Sequence, residues 1–543
     1  MLRPEVIKQL ESPAMGLATS WAISRRSVPC RNLEEVRDAF KRKYWPFEKD
    51  KVAKNNEKAI SLREQGNLAY KTTPKDADRA MEYYNKSICM AVEDSEELGI
   101  GYANRSAVYF NRKMYRECLE NIRLAKEHHY PERLMNKLIE REERCLENIA
   151  LSNENPEEAE TGEKHCSLKS CLEMSDDGKG IRTSCDLSAG EKVLLEKPFL
   201  LVVEPELAYK RCDYCGKNNN FNLRPCTSCT AVMYCSENCQ EQALQRYHQF
   251  ECEIVDELKL LFRGPKANRL LHLSLRLFWH GVLLYLEDPE TFPQRCENRA
   301  ELVQYRNPFT LEPSDYFFYL YLKGSEKLAS KERSTEQVDL TGICVTQFAT
   351  VLIYYLAVEE NTSLVQRFEG KEAGELLRKL LFALVYQASD LADHRPEETT
   401  CFYPFSRLIR HSCAPTAERF LHNFQTMVVL KRPVLMGQEI TIAYDEKLTT
   451  DRTTKEKRLE KASSGYNIQE CNCEGCKSDY PLLKDIEKDE ALSKELETIR
   501  VEANEVYQRN KLAEFLDRYD NQYPKQELVE AWNMYREFIL KDL

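Results

Sequence analysis

Between Cys212 and Cys252 the chain carries eight potential metal ligands in four pairs. They are Cys212-x2-Cys215, Cys226-x2-Cys229, Cys235-x3-Cys239 and His248-x3-Cys252. Four such pairs make two tetrahedra of sulfur and nitrogen donors, the set that structural zinc takes. Chance spacing of eight ligands is a poor alternative, so this stretch is committed to folding around metal, and His248 reads as a ligand rather than a core histidine. Basic residues here (Lys210, Arg211, Lys217, Arg224, Arg246) alternate with Asp213, Glu237, Glu241 and Glu251, which leaves no stripe for phosphates.

A second cysteine group closes a longer stretch. Cys471-x-Cys473-x2-Cys476 is one thiolate short of a tetrahedral site, so the fourth ligand must come from elsewhere. The stretch opens at Cys401 and runs through Arg410-His411-Ser412-Cys413-Ala414-Pro415-Thr416. It continues through a period-two segment, Glu439-Ile440-Thr441-Ile442-Ala443-Tyr444. That alternation predicts a strand over 439–444 with Ile440, Ile442 and Tyr444 on one face, entered through a turn at Gly437-Gln438. The other ten cysteines (Cys30, Cys89, Cys118, Cys145, Cys166, Cys171, Cys185, Cys296, Cys344 and Cys401) stand singly, and each is read as a small buried apolar residue.

Length and charge bound the rest. A chain of 543 residues holds about two to four domains. The formal net charge of −11 argues against a wide nucleic-acid footprint, and direct DNA binding is disfavoured. The longest apolar run, 348–358, is short of the ~20 residues a bilayer demands, so no membrane is expected. The N-terminal residues lack an apolar signal core. The expectation is an intracellular chain, cytoplasmic and/or nuclear, with reduced cysteines.

From 57 to 150 the pattern is helical throughout, after a weakly patterned extension over 1–56. Small residues at Ser106, Cys118 and Ala125 allow close helix approach, and Tyr102 and Tyr109 fill the groove. This is the tetratricopeptide (TPR) pattern, repeated roughly two and a half times. An acidic linker follows over 151–166. Then comes Asp177-Gly178-Lys179-Gly180-Ile181-Arg182, a turn ahead of strands within 167–211. Residues 253–400 form a helical insert, and 481–543 is a short helical C-terminus.

The eight-ligand stretch, with Tyr234 before Cys235, Gln240 after Cys239 and a terminal H-x3-C, resembles a MYND finger. A H-S-C-x-P segment, then G-Q-E-I-x-x-x-Y, then C-x-C-x2-C, resembles the SET-domain lysine methyltransferases of the SMYD (SET and MYND) family. TPRs ahead of them are similar to its fourth branch. The resemblance implies an α+β architecture: an N-terminal TPR array, a β-rich SET domain split by the finger and the helical insert, and a short helical C-terminus. On this reading 401–446 is the SET core and 447–480 the post-SET zinc region.

It further implies S-adenosylmethionine as methyl donor, a lysine-containing protein substrate, and three structural Zn2+ ions. One ion would take Cys212, Cys215, Cys235 and Cys239. The second would take Cys226, Cys229, His248 and Cys252, and the third Cys413 with Cys471, Cys473 and Cys476. Tyr444 would be the catalytic tyrosine and Tyr466 a second one. Gly178, Lys179, Gly180, Arg410, His411 and Tyr444 would meet the cofactor, with Gln387 loosely aligned to a further contact. The insert would wall the substrate cleft, with Tyr316, Phe317, Phe318, Tyr319 and Tyr321 as lining or core aromatics. Arg63, Asn67, Asn104, Lys137 and Arg141 resemble the clamp by which TPR domains hold Hsp70 and Hsp90 C-terminal peptides. The finger would take proline-rich peptides. Arg410 and Thr416 stand where the family has asparagine, and Arg410 would set a cation beside a cationic cofactor. A SET-derived adaptor without turnover, joining TPR and MYND ligands, is the alternative.

Overall fold

A computed structural model describes residues 53–72, 76–152, 166–175, 180–255, 266–297, 399–445, 453–466 and 470–543, with isolated positions at 258, 449 and between 317 and 394. The expectations at 1–52, Gly178, Lys179, Tyr316, Tyr319, Gln387 and 348–358 lie outside the described residues, as does the side chain of Tyr466. The chain divides into two units, the first holding the helical array, the finger and the insert, the second the remaining strands and the C-terminal helices.

In the first unit, helices α1 (Asn56–Thr72), α2 (Ala77–Met90), α3 (Glu96–Asn111), α4 (Tyr115–Glu127) and α5 (Met135–Ser152) follow one another through short turns. Glycine sets how close they come. A Cβ at Gly66 would fall 2.6 Å from Tyr84 Cε1, and one at Gly101 would fall 2.8 Å from Ile88 Cγ1. Ser95 caps α3 by accepting from the Leu98 amide. Cys89, Cys118 and Cys145 are buried core residues as expected. Cys185 is not: it is exposed, two residues past the end of the strand that stops at Thr183.

The array grips the finger through polar side chains rather than apolar area. Arg105, fully buried, donates to Asn121 Oδ1 at 2.6 Å, to Asn85 Oδ1 at 2.7 Å and to the Leu223 carbonyl at 2.6 Å. Asn85 Nδ2 donates to the carbonyls of Tyr209 and Phe221, and the Tyr109 hydroxyl to that of Asn220. Asn219, Asn220 and Phe221 all have φ between 41° and 65°, a left-handed run that turns their peptide groups off the usual extended course. At the rim, Arg224 pairs with Glu120 at 2.6 Å. On the finger's other flank, helix α6 (Lys266–Glu287) buries Trp279 and Phe278. It also packs on the antiparallel pair Leu200–Val203 and Thr399–Phe402.

In the second unit, strands β1 (Cys166–Leu168), β2 (Leu172–Met174), β3 (Ile181–Thr183) and β4 (Lys192–Glu196) precede the finger in sequence. Strands β5 (Arg410–His411), β6 (Ala417–His422), β7 (Gln425–Leu430) and β8 (Glu439–Ile442) follow the insert. The two groups share sheets, one ordered β1-β4-β7-β6 and the other β5-β8-β3-β2. Nearly all of β7 is buried because both its faces are covered. Val428 and Leu430 join a core with Ile440, Ile442 and Val193, while Met427 and Val429 face the C-terminal helices. Those helices are α8 (Glu490–Arg500), α9 (Glu505–Tyr519) and α10 (Gln526–Asp542), after α7 (Lys455–Tyr466). Glu418 of β6 fastens α10 by accepting from Trp532 Nε1 and Arg536 Nε, both at 2.6 Å.

Removing a fully buried guanidinium strands every acceptor it served. Arg105→Ala should cost about 3 kcal/mol, read as a lower first transition in thermal or denaturant unfolding, with faster proteolysis around the finger loop. Unchanged stability would show that the finger does not depend on the array.

Candidate functional site

Three groups of four ligand atoms form, with the membership that the family resemblance implies. Cys212, Cys215, Cys235 and Cys239 lie together, as do Cys226, Cys229, His248 and Cys252, and Cys413, Cys471, Cys473 and Cys476; within each group all atoms are within 4.8 Å. Measured edges include Cys215–Cys235 at 3.5 Å, Cys226–Cys252 at 3.9 Å and Cys413–Cys476 at 3.6 Å. A tetrahedron with bonds of about 2.3 Å has edges of about 3.8 Å. His248 turns Nε2 to Cys226 at 3.3 Å and Cys229 at 3.7 Å.

The donor chemistry fits a cation. Hydrogen bonds among the sulfurs hold Cys226, Cys239 and Cys473 well below the ordinary thiol range and push Cys229 and Cys413 far above it. Four sulfurs at this spacing cannot all ionise unless positive charge sits among them, and zinc would supply it.

The two finger quartets are braced by a residue the sequence did not single out. Arg276 of α6 is buried and donates to Asp213, next to Cys212, at 2.9 Å. It also reaches Glu251, next to Cys252, at 3.0 Å, and the Leu201 carbonyl at 2.5 Å. Burial alone would raise the Glu251 carboxyl, but Arg276 and His272 beside it hold it at about 2. The cluster shares a cavity with Val202, Val203, Ala231, Val232, Val255 and Leu258.

In the second unit the third quartet anchors the other candidate residues. Cys413 follows β5, which pairs in parallel with β8 through Arg410↔Thr441 and His411↔Ile442. Glu196, fully buried, accepts from the amides of Phe405 and Ser406 and fixes the approach to that strand. Strand β8 ends at Ile442 rather than continuing to residue 444. Beyond it, the Tyr444 amide donates to His411 Nδ1 at 3.2 Å in place of a strand carbonyl. The Tyr444 hydroxyl donates to the Ile409 carbonyl at 3.2 Å, and its ring lies 5.3 Å from that of His411. Burial raises its phenol above the ordinary value, while Arg407, Arg419 and Arg410 pull the other way. Arg410 packs on Gly180, where a Cβ would fall 2.6 Å from Nε, and pairs with Glu439. Arg458 of α7, also unforeseen, is buried and points Nη2 at Cys476 from 3.8 Å.

The five array residues share neighbouring helices, and four of them bond to the array itself. Arg63 pairs with Glu97. Asn67 accepts from Asn104 at 3.0 Å and from Tyr84 at 2.9 Å. Arg141 donates to Ser106 Oγ at 2.8 Å and to the Ala103 carbonyl at 3.0 Å, and Lys137 is exposed.

Residues 212–252 match the MYND finger family. The chain is 30% identical over 258 residues to protein-lysine N-methyltransferase SMYD4 of Danio rerio, covering 42% of this chain and 33% of that protein. It is 24% identical over 509 residues to SMYD4 of Gallus gallus, covering 71% and 68%. Against histone-lysine N-methyltransferase ASHR1 of Arabidopsis thaliana it is 23% identical, covering 59% and 57%. The aligned part thus spans about a third of the first of these relatives.

Cys413→Ser should lower zinc by one equivalent per chain relative to the parent protein, measured by elemental analysis, and destabilise the second unit. Full zinc retention in this variant would refute the shared site.

Proposed function

Because its finger and its relatives place this chain in the SMYD family, beside the SMYD4 proteins, we propose that it transfers a methyl group from S-adenosylmethionine to a lysine side chain of a protein. The supporting observation is the juxtaposition, within one unit, of Tyr444, of His411, whose Nε2 lies 3.4 Å from Cys413 of the third quartet, and of the Gly180–Arg410 contact on the same strand β5. When bound, the cofactor supplies an electrophilic methyl carbon on a cationic sulfur.

The chain's own residues have the remaining tasks. A lysine must lose its proton before its lone pair can attack, and a desolvated site beside positive charge lowers its pKa. The Tyr444 proton is committed to the Ile409 carbonyl, so the hydroxyl turns lone pairs toward any incoming amine and orients it without acting as acid or base. His411 holds the Tyr444 main chain, and Cys413 fixes β5 two residues further on. Gly180 leaves room for close backbone approach, and Lys179 and Gly178 extend the same turn in sequence.

The three quartets are assigned as structural zinc sites. Among partners, the finger is a protein-interaction module. A chaperone-tail role for the array would require Arg63 and Arg141 to leave Glu97 and Ser106.

Tyr444→Phe should abolish methyl transfer to protein substrate while leaving zinc content intact and costing no more than about 1 kcal/mol of stability. Normal methylation by this variant, in an assay with labelled methyl donor, would remove Tyr444 from the mechanism.

A further inference from the structure

We infer that Arg410 and Glu439 together recognise the α-amino-acid end of the methyl donor, Arg410 taking its carboxylate and Glu439 its ammonium group. The inference rests on the methyltransferase reading above and deepens it. At this position the family resemblance leads one to expect a neutral asparagine, and a lone arginine would repel a cationic ligand.

Arg410 is not alone. It lies on β5 and Glu439 on the adjacent β8, and the two side chains form an ion pair with about a third of each still exposed, at 37% and 33%. Arg182, which faces Glu439 across β3 and β8, is drawn to Glu173 at 2.8 Å.

The pair stands against the one glycine of the Gly178–Gly180 turn that the structure describes. A side chain at Gly180 would collide with Arg410 Nε at 2.6 Å, so the guanidinium rests on glycine backbone. That backbone is pinned from the other side. The Ser175 amide donates to the Gly180 carbonyl at 2.8 Å, and the Gly180 amide donates to Ser175 Oγ at 2.9 Å. The end of the β2–β3 hairpin and the cation against it are therefore preorganised.

An amino-acid terminus is itself a pair of opposite charges. A guanidinium binds a carboxylate with two parallel hydrogen bonds, which an asparagine amide cannot match in charge, and a carboxylate beside it answers the ammonium. Local charge is balanced before and after binding, so the arginine adds no net repulsion toward the sulfonium.

Two ligands separate this reading from its rivals in direct titrations of the full chain by calorimetry. S-Adenosylhomocysteine carries the amino-acid end, and 5′-methylthioadenosine has the same nucleoside and thioether without it. The parent protein should prefer the first. Arg410→Gln and Glu439→Gln should each weaken it ~10-fold while leaving the second within about twofold. Zinc content and ligand-free melting temperature of each variant check that folding is intact. Should one variant fail to fold, the other carries the test. Unchanged or tighter binding of S-adenosylhomocysteine in the folded variants overturns the assignment, tighter binding meaning that the arginine obstructs the site. Failure of the parent protein to bind either nucleoside overturns the methyltransferase reading itself, and this inference with it.

Discussion

The second unit depends on one long-range requirement: the sulfur of Cys413 must meet those of Cys471, Cys473 and Cys476, about 60 residues later. Closing a loop of that length costs chain entropy, which metal–thiolate coordination would help to offset. Once Cys413 is fixed, the short strand before it is fixed as well. Two residues of β5 pair with β8, too few to stand alone, and the quartet anchors the end of that strand. His411 and Tyr444 then hold one another across the gap. The candidate catalytic residues are thus held between this cysteine quartet and the core of Ile409, Ile440 and Ile442 against which Tyr444 packs.

A different device serves the first unit. The finger buries Leu223, Met233, Tyr234, Tyr247 and Phe250, and it is also held by two buried arginines approaching from different elements. Arg105 of α3 donates to the Leu223 carbonyl at the end of the 219–223 loop, and Arg276 of α6 joins the segments that carry Cys212 and Cys252. Buried guanidinium groups carry a heavy desolvation cost, so they contribute less to net stability than to geometry: few alternative packings satisfy all of their donors. The finger is therefore a structural member of this unit as well as an interaction module.

Local chemistry was the legible part of the sequence. Ligand spacing announced eleven of the twelve candidate metal ligands and showed that the C-x-C-x2-C triplet lacks a fourth, while Cys413 was named only through the family resemblance. Helical periodicity announced the array. Side chains that act across large separations left no such trace. Nothing around Arg105 points to a loop more than a hundred residues away, and nothing near Arg410 points to Glu439 or Gly180. The alternation through Tyr444 overran the true end of β8 by two residues because a side-chain acceptor, the His411 ring, replaces the next strand carbonyl. Cys185 defied the rule for single cysteines because its strand stops at Thr183.

Two of the places where the sequence departs from the family pattern, Arg410 and Thr416, lie beside the strand that leads to Tyr444. Here both replacements are engaged, and with the same strand. Thr416 Oγ1 accepts from the Thr441 amide at 2.9 Å while its own amide donates to Thr441 Oγ1 at 3.2 Å. Arg410 pairs with Glu439 two residues earlier on β8. Both ends of the H-S-C-x-P segment are thereby tied to the strand that leads to Tyr444. Polar residues that find partners in a sheet restrict its register and keep the neighbouring geometry single-valued. Arg410 and Thr416 are therefore both part of the architecture that carries the chain toward the tyrosine.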